Sequence, residues 1–186
     1  MGRQAVTLGA LTRVLRPPAR PLEAKLTPTR WRALERALGV ELPADWRLFV
    51  ETYGTGTIAR FITIANPLSQ ADPYLAWLTQ VIASDKNALV VDGKGVAGGL
   101  APFPAAEGLL PFGRWSDWAV LYFHMRGAPD RWPIVFASTH GDYQATFETP
   151  LAKFLDQVLR GKLRDPAFGV EYPRGDKATF VTGARR

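Results

Sequence analysis

The chain contains no cysteine and only two histidines among its 186 residues. It can therefore form no disulfide bond and no cysteine-ligated metal site, and it has no thiol nucleophile. Its continuous apolar runs are far shorter than the roughly 20 residues that a membrane-spanning helix requires. These absences exclude a disulfide scaffold, a thiol enzyme and a helical membrane protein, and we expect a soluble protein of the cytoplasm.

The net charge of +6 and the pI of 9.9 are typical of proteins with anionic partners, but the charge lies mainly at the two ends. Residues 1–26 carry +4 and residues 160–186 carry +4, whereas residues 27–159 carry −2. We predict a basic, proline-containing extension over 1–26, one domain over 27–161, and a basic tail or an added hairpin over 162–186. Binding of nucleic acid is then expected only through the tails.

Apolar residues at helical spacing predict four amphipathic helices. Each begins at a capping residue or a proline, as Asp72 and Pro73 illustrate for the third, and glycines end the other three. The predicted helices cover about residues 28–38, 43–53, 73–84 and 150–160.

Segments rich in β-branched and aromatic residues predict several short strands. They cover residues 57–64, 118–123, 132–137 and 143–147, with a further short strand at 89–91 inside a glycine- and proline-rich loop. Helices and strands do not alternate regularly, and no segment repeats at a fixed period. The predicted fold class is therefore α+β, a single domain with a mostly antiparallel sheet flanked by helices.

Residues 93–98 match the pattern G-x-G-x-x-G of nucleotide-binding loops. Pro102 and Pro104 follow this segment and prevent the helix that would face a phosphate, so we interpret it as a loop. His124 and His140 are the only imidazoles, and neither stands near a nucleophile or an acidic cluster at a suitable spacing. The sequence therefore predicts no catalytic residue, no cofactor site and no metal site.

Three of the six tryptophans flank predicted turns and have charged neighbours. Aromatic and arginine side chains on loops are typical of protein-binding hot spots. The candidate partner-binding residues are Arg114, Trp115, Asp117, Trp118, Asp130, Arg131 and Trp132. The alternative interpretation is that these rings only cover the edge of the sheet.

Three blocks of sequence resemble the SUKH superfamily, which includes the Smi and Knr cell-wall regulators and many bacterial immunity proteins. Leu42–Phe49 and Tyr53–Gly56 resemble its leucine-proline-x-aspartate-tyrosine helix and the glycine-rich turn that follows. Gly108–Gly113 resembles its leucine-proline-phenylalanine-glycine strand entry, and Thr149–Gly161 resembles its closing helix. The blocks occur in the family's order over about residues 26–161.

This resemblance implies a non-catalytic binding protein, most often a bacterial immunity protein that neutralises a polymorphic toxin by covering its active site. A nuclease is one candidate toxin, because a mildly acidic domain would complement its basic groove. Two alternatives stay open. One is a regulatory or scaffold protein of the same fold with a housekeeping partner, and the other is a nucleic-acid-binding protein that uses its basic tails.

Overall fold

A computed structural model describes residues 7–25, 27–70, 73–88, 100–163, 165 and 178–183. These residues form four α-helices and one seven-stranded sheet, which confirms the predicted α+β class. The helices are α1 (Pro28–Leu38), α2 (Ala44–Tyr53), α3 (Tyr74–Ala88) and α4 (Leu151–Leu159). The strands are β1 (Gly56–Ile58), β2 (Ile62–Ile64), β3 (Leu109–Trp115), β4 (Ala119–His124), β5 (Ile134–Ser138), β6 (Gln144–Phe147) and β7 (Phe180–Thr182).

The sheet is antiparallel, with the strand order β6-β5-β4-β3-β2-β1-β7. Strands β1 to β6 therefore follow one another as a meander, and β7 pairs with the free edge of β1. In a meander, alternate connections lie at the same end of the sheet. The β1–β2, β3–β4 and β5–β6 connections consequently share one end, and the β4–β5 connection lies at the other.

The predicted helix ends agree with the structure for α1 and α2. Thr27 caps α1 through its hydroxyl, which accepts a hydrogen bond from the amide of Arg30 at 3.4 Å, and Gly39 ends the helix with φ +72°. Gly54 follows α2 as predicted. The helix α3 extends to Ala88, beyond the predicted end near 84. The predicted Asp72 cap, the strand at 89–91 and the glycine loop at 93–98 lie outside the described residues.

The hydrophobic core lies between the sheet and the helices α2 and α4. Trp46 on α2 is fully buried, and its ring contacts Phe112 of β3 and Phe123 of β4 at centroid distances of 6.3 and 5.5 Å. Phe154 on α4 contacts Phe147 of β6 at 5.2 Å. Edge-to-face and tilted ring pairs of this kind add to the free energy of burial. Both helices therefore cover one face of the sheet.

The helix α3 covers part of the opposite face. Side chains alternate along β4, so Tyr122 points away from the face that Phe123 occupies. Val81 of α3 lies with Tyr122 in the lining of one cleft, and the Tyr74 hydroxyl donates a hydrogen bond to the carbonyl of Pro111 at 2.7 Å. The central strands are consequently buried on both faces.

The segment that the sequence predicts as one strand over 57–64 contains a tight turn between β1 and β2. The amide of Phe61 donates to the carbonyl of Ile58 at 2.9 Å, and the two central residues, Ala59 and Arg60, have φ values of +50° and +63°. Two positive φ angles define a type I′ turn, which usually contains Asn-Gly rather than Ala-Arg. No local pattern predicts this turn, because the residues that usually form it are missing.

The described part of the predicted N-terminal extension packs against the domain. Leu8, Leu11 and Leu15 are buried in the common core, and the Tyr53 hydroxyl of α2 donates a hydrogen bond to the carbonyl of Leu15 at 2.6 Å. The apolar positions are spaced by three and four residues, and Arg13 lies between Leu11 and Leu15. Residues 8–15 are therefore part of the folded core, while the domain limits of 27 and 161 remain a prediction.

The glycine-rich turn after α2 is the place where both ends of the described chain attach. Leu22 forms a bridge with Gly54, and a Cβ at Gly54 would lie only 2.0 Å from the Leu22 carbonyl oxygen. A Cβ at Gly56 would lie 2.6 Å from the ring of Phe180 in β7. Gly54 is thus required by its φ of +69° and by the close approach of Leu22, and Gly56 is required by the close approach of β7, whose Val181 carbonyl oxygen would lie 2.4 Å from a Cβ there.

Two carboxylates hold the beginnings of α2 and α4. Asp130, just before β5, accepts a hydrogen bond from the amide of Ala44 at 2.8 Å. Asp45 is 4% exposed and accepts a hydrogen bond from the amide of Ala152, in the first turn of α4, at 2.9 Å. Carboxylates at helix N-termini satisfy free backbone N–H groups and interact favourably with the helix dipole. Asp45 thereby connects α2 to α4.

We expect Arg60→Gly to stabilise the protein by about 1 kcal/mol, because glycine adopts positive φ without steric cost. The measurement is the free energy of unfolding from urea titration. Arg60→Ala is the matched control, since it removes the same exposed side chain but keeps a Cβ at the strained position. Equal stabilities of the two variants would contradict the turn assignment.

A second prediction concerns the effect of Asp45 on the pH dependence of the free energy of unfolding. Burial raises the pKa of Asp45 above its ordinary value of 3.8, and the nearby Asp130 carboxylate adds to this. The native state therefore binds the proton of the Asp45 carboxyl group more tightly than the unfolded chain does. This difference stabilises the native state fully below pH 3.8, and the stabilisation is lost as the pH rises through the raised pKa. Asp45→Asn keeps an oxygen acceptor and does not titrate. We expect Asp45→Asn to become more stable relative to the parent as the pH rises from about 3 to about 7, so that the difference in the free energy of unfolding (variant minus parent) increases.

The control for this prediction is Asp45→Ala, which removes the acceptor for Ala152 altogether. We expect it to be less stable than Asp45→Asn by about 1 to 2 kcal/mol at every pH, which is the usual cost of losing a helix cap. If the free energies of unfolding of Asp45→Asn and the parent differ by the same amount at every pH, the result would contradict a buried Asp45 carboxylate that titrates in this range.

Candidate partner-binding surface

Three hairpin tips lie side by side at one end of the sheet, because β1 to β6 form a meander. They are the β1–β2 turn, the β3–β4 turn and the β5–β6 loop. We call this the hairpin-tip surface and define it by eight residues: Arg60, Phe61, Ser116, Asp117, Trp118, Thr139, His140 and Asp142.

Backbone hydrogen bonds join the three tips to one another. The amide of Ser116 donates to the carbonyl of Phe61 at 2.6 Å, and the amide of Thr139 donates to the carbonyl of Trp118 at 2.7 Å. The Thr139 hydroxyl donates to the same carbonyl at 3.1 Å. Tips that are tied together in this way form a surface of fixed shape, which lowers the entropy that binding would cost.

The β5–β6 loop is ordered by the side chains of Ser138 and Asp142. The Ser138 hydroxyl donates to the Asp142 carboxylate at 2.5 Å and accepts from the amide of His140 at 3.1 Å. The hydrogen bond from Ser138 lowers the pKa of Asp142, so this carboxylate is charged at neutral pH. The loop therefore presents a fixed negative charge next to the exposed imidazole of His140.

The hairpin-tip surface combines aromatic and charged side chains. Phe61 is 37% exposed, and the ring of Trp118 is half-buried. The side chains of Arg60, Asp117 and His140 are exposed on the same three tips. Aromatic residues are enriched at surfaces that bind proteins.

Four of the predicted partner-binding residues lie at this end of the sheet. Asp117 and Trp118 belong to the hairpin-tip surface itself. Trp115 is 3% exposed and packs beneath it, with its ring 5.6 Å from that of Phe136. Arg114 is half-buried, and its guanidinium carbon lies 5.0 Å from the centroid of the Trp77 ring.

The other three predicted residues lie at the opposite end of β4 and β5, so the structure does not bring the seven together. Trp132 is 4% exposed, and its indole N–H donates to the carbonyl of Gly127 at 3.1 Å. Asp130 caps α2, as described above. Arg131 is exposed. A partner-binding role for these three remains a prediction separate from the hairpin-tip surface.

A cleft of about 300 Å³ lies beside the tips, between α3 and the sheet. Arg114 and Asp117 contribute to its lining, together with residues that the sequence did not indicate. These are Gln80, Ser84, Tyr122, Ser138 and Thr139. They come from α3, β4, β5 and the β5–β6 loop, and they meet because α3 lies across the sheet. No local sequence pattern could therefore have identified them.

Within the described residues, no group of three or more histidines and carboxylates is arranged to hold a metal ion. Of the helices in that part of the chain, none combines the length and the apolar character needed to cross a membrane.

The α+β architecture and the motif residues on α2 can now be compared with known families. A family model of SMI1-KNR4 cell-wall proteins matches residues 28–155, which is more than half of the chain, so the chain belongs to the SMI1-KNR4 family of the SUKH superfamily. No curated protein and no solved structure matches the chain significantly. Proteins of this family generally bind partner proteins and are not enzymes. The resemblance predicted from the sequence is thereby confirmed.

The different burial of two tryptophans predicts different effects of truncation. We expect Trp115→Ala to destabilise the fold by about 3 to 5 kcal/mol, because it removes a buried ring from the core. Trp118→Ala should cost about 1 to 2 kcal/mol, since its half-buried ring leaves no closed cavity. Urea unfolding of both variants measures this difference. Equal losses would show that Trp118 is a core residue and not part of a binding surface.

Proposed function

We propose that this protein is a bacterial immunity protein of the cytoplasm that neutralises a cognate polymorphic toxin. Membership of the SMI1-KNR4 family carries the proposal, because proteins of this family bind other proteins. The mechanism is occlusion: the protein covers the active site or the substrate groove of the toxin domain and performs no chemistry of its own.

The hairpin-tip surface is the part of the chain that we propose for this contact. Its three tips are joined by backbone hydrogen bonds of 2.6 and 2.7 Å, so the surface is formed before the toxin arrives. Phe61 and Trp118 provide apolar contact area on two neighbouring tips. The centroid of the Trp118 ring lies 5.0 Å from that of Phe136. Because this contact already restricts the rotamers of Trp118 in the free protein, binding costs less side-chain entropy.

The charge of the surface favours a nuclease as the toxin. Asp117 and Asp142 contribute two negative charges against the one positive charge of Arg60, and the hydrogen bond from Ser138 keeps Asp142 ionised. A nuclease binds its substrate in a basic groove, so a rigid acidic surface complements it.

The test is capture followed by rescue. The tagged protein is used to recover stoichiometric partners from the native cells, and each partner is expressed alone and together with this chain in a heterologous bacterium. We expect one partner to stop growth when expressed alone and to be harmless when this chain is present. Phe61→Ser combined with Asp117→Lys should weaken binding of that partner at least tenfold and reduce the rescue.

Lys153→Ser is the matched control, because Lys153 is an exposed charged residue of α4 that belongs neither to the hairpin-tip surface nor to the other predicted partner-binding residues. It should leave both binding and rescue unchanged. A captured protein that is harmless when expressed alone would favour the regulatory or scaffold alternative. Recovery of nucleic acid alone, weakened by salt and abolished by removal of residues 1–26 and 162–186, would favour the nucleic-acid alternative.

A further inference from the structure

Glu23, near the end of the N-terminal segment, lies in a backbone conformation that glutamate rarely adopts. Its φ angle is +55°, in the left-handed region that favours glycine. A residue with a long side chain is strained there, so the conformation persists only where the surrounding structure holds it in place. The contacts of Glu23 must therefore supply this hold.

At least four hydrogen bonds hold Glu23. Its carboxylate accepts from the hydroxyl of Thr55 at 2.8 Å, from the hydroxyl of Ser69 at 2.6 Å and from the amide of Gln70 at 2.9 Å. Its backbone carbonyl accepts from the side-chain amide of Asn66 at 3.2 Å. Hydrogen bonds to a charged acceptor are stronger than those between neutral groups. Glu23 thus joins the N-terminal segment to the turn after α2 and to the loop before α3.

Residues 8–25, which we call the strap, are attached to the rest of the protein at their two ends. Three leucines near the start of the strap are buried in the common core. Near its end, Leu22 forms an isolated bridge with Gly54, and the amide of Thr55 donates to the Leu22 carbonyl at 2.8 Å. Prolines at positions 17, 18 and 21 have no N–H group, so this contact does not lengthen into a continuous strand. A segment attached in this way opens at a lower free energy than the central strands of a sheet.

The loop that Glu23 holds leads into α3. Ser69 and Gln70 lie between β2 and α3, and α3 begins at Tyr74. The helix α3 forms one wall of the cleft beside the hairpin-tip surface, through Gln80 and Ser84. The hydrogen bonds from Ser69 and Gln70 to the Glu23 carboxylate therefore connect the strap physically to this wall.

We propose that Glu23 is the latch of the strap, and that opening of the strap loosens α3 while the central strands stay folded. Opening breaks the hydrogen bonds to Glu23 and lets this residue return to a negative φ, which offsets part of the cost. The loop before α3 then loses the contacts of Ser69 and Gln70 with the carboxylate. The strap thereby controls the shape of the cleft. The inference does not depend on the proposed toxin, because it concerns the protein without a partner.

The test is native-state hydrogen exchange of the full chain, followed residue by residue with ¹H–¹⁵N NMR. The amides of Thr12, Val14 and Leu15 report on the strap, since they are hydrogen-bonded within it. In the parent protein we expect the strap and α3 to exchange at least about tenfold faster than β4 and β5. Glu23→Ala removes the latch and should speed the exchange of the strap and of α3 by the same factor, about ten or more.

A second variant acts from the other side of the latch. Ser69→Ala removes one of the hydrogen bonds to the Glu23 carboxylate and leaves the strap itself unchanged. Because coupling between two sites is reciprocal, it should also speed the exchange of the strap amides. This variant carries the test if Glu23→Ala does not fold.

Two controls separate opening of the strap from unfolding of the whole domain. Glu107→Ala replaces another glutamate with positive φ, +54°, which is exposed and lies outside the strap, and it should leave the exchange of the strap and α3 unchanged. Ile134→Val trims a fully buried side chain of β5 and lowers the stability of the sheet. It should speed the exchange of β4 and β5 without affecting the strap or α3.

Three results would overturn the proposal. Unchanged exchange of the strap in Glu23→Ala would show that Glu23 is not a latch. Faster exchange of the strap without any change in α3 would show that the two are not connected. Equal acceleration of the strap, α3 and the central strands by Ile134→Val would show that the strap opens only when the whole domain unfolds.

Discussion

The arrangement of the molecule depends on the beginning of α2, where two carboxylates bring three parts of the chain together. Asp130 binds the first amide of this helix, and Asp45 extends from its first turn to the first turn of α4. Trp46, the next residue, places its ring against the central strands β3 and β4. One turn of helix therefore fixes both helices on one face of the sheet.

The other end of α2 has a similar role for the ends of the chain. Gly54 and Gly56 allow Leu22 and β7 to approach closely on either side of the turn, where a side chain would not fit. The meander of six strands has its hairpin tips at the end of the sheet opposite to Gly56, where β1 begins, and to the β4–β5 connection that contains Asp130. The rigid hairpin-tip surface is thus a consequence of the same motif that holds the core.

Local signals in the sequence were sufficient for the four helices, for most of the strands and for the family, whereas β3 was indicated only by the family resemblance and β7 was not predicted. Pro43, Gly54 and the apolar stripe of α2 act within a few residues of one another, so the pattern alone predicted them correctly. The turn at Ala59 and Arg60 was missed, because positive φ angles there are imposed by strand pairing rather than by glycine or asparagine. The local pattern also did not predict the burial of Trp115 and Trp132, because this burial depends on residues distant in sequence. The ring of Trp115 contacts Phe136 of β5, and the ring of Trp132 contacts Phe123 of β4. The separation of the predicted site residues into two sets follows from strand order, which local patterns do not encode.

Binding of a protein partner at the three hairpin tips can be measured by hydrogen–deuterium exchange of the chain, alone and in complex with its captured partner. We expect slower exchange on binding for peptides covering residues 58–62, 115–119 and 138–143, and no change over residues 126–132. Protection confined to α1 or to residues 126–132, with unchanged exchange at the three tips, would contradict it.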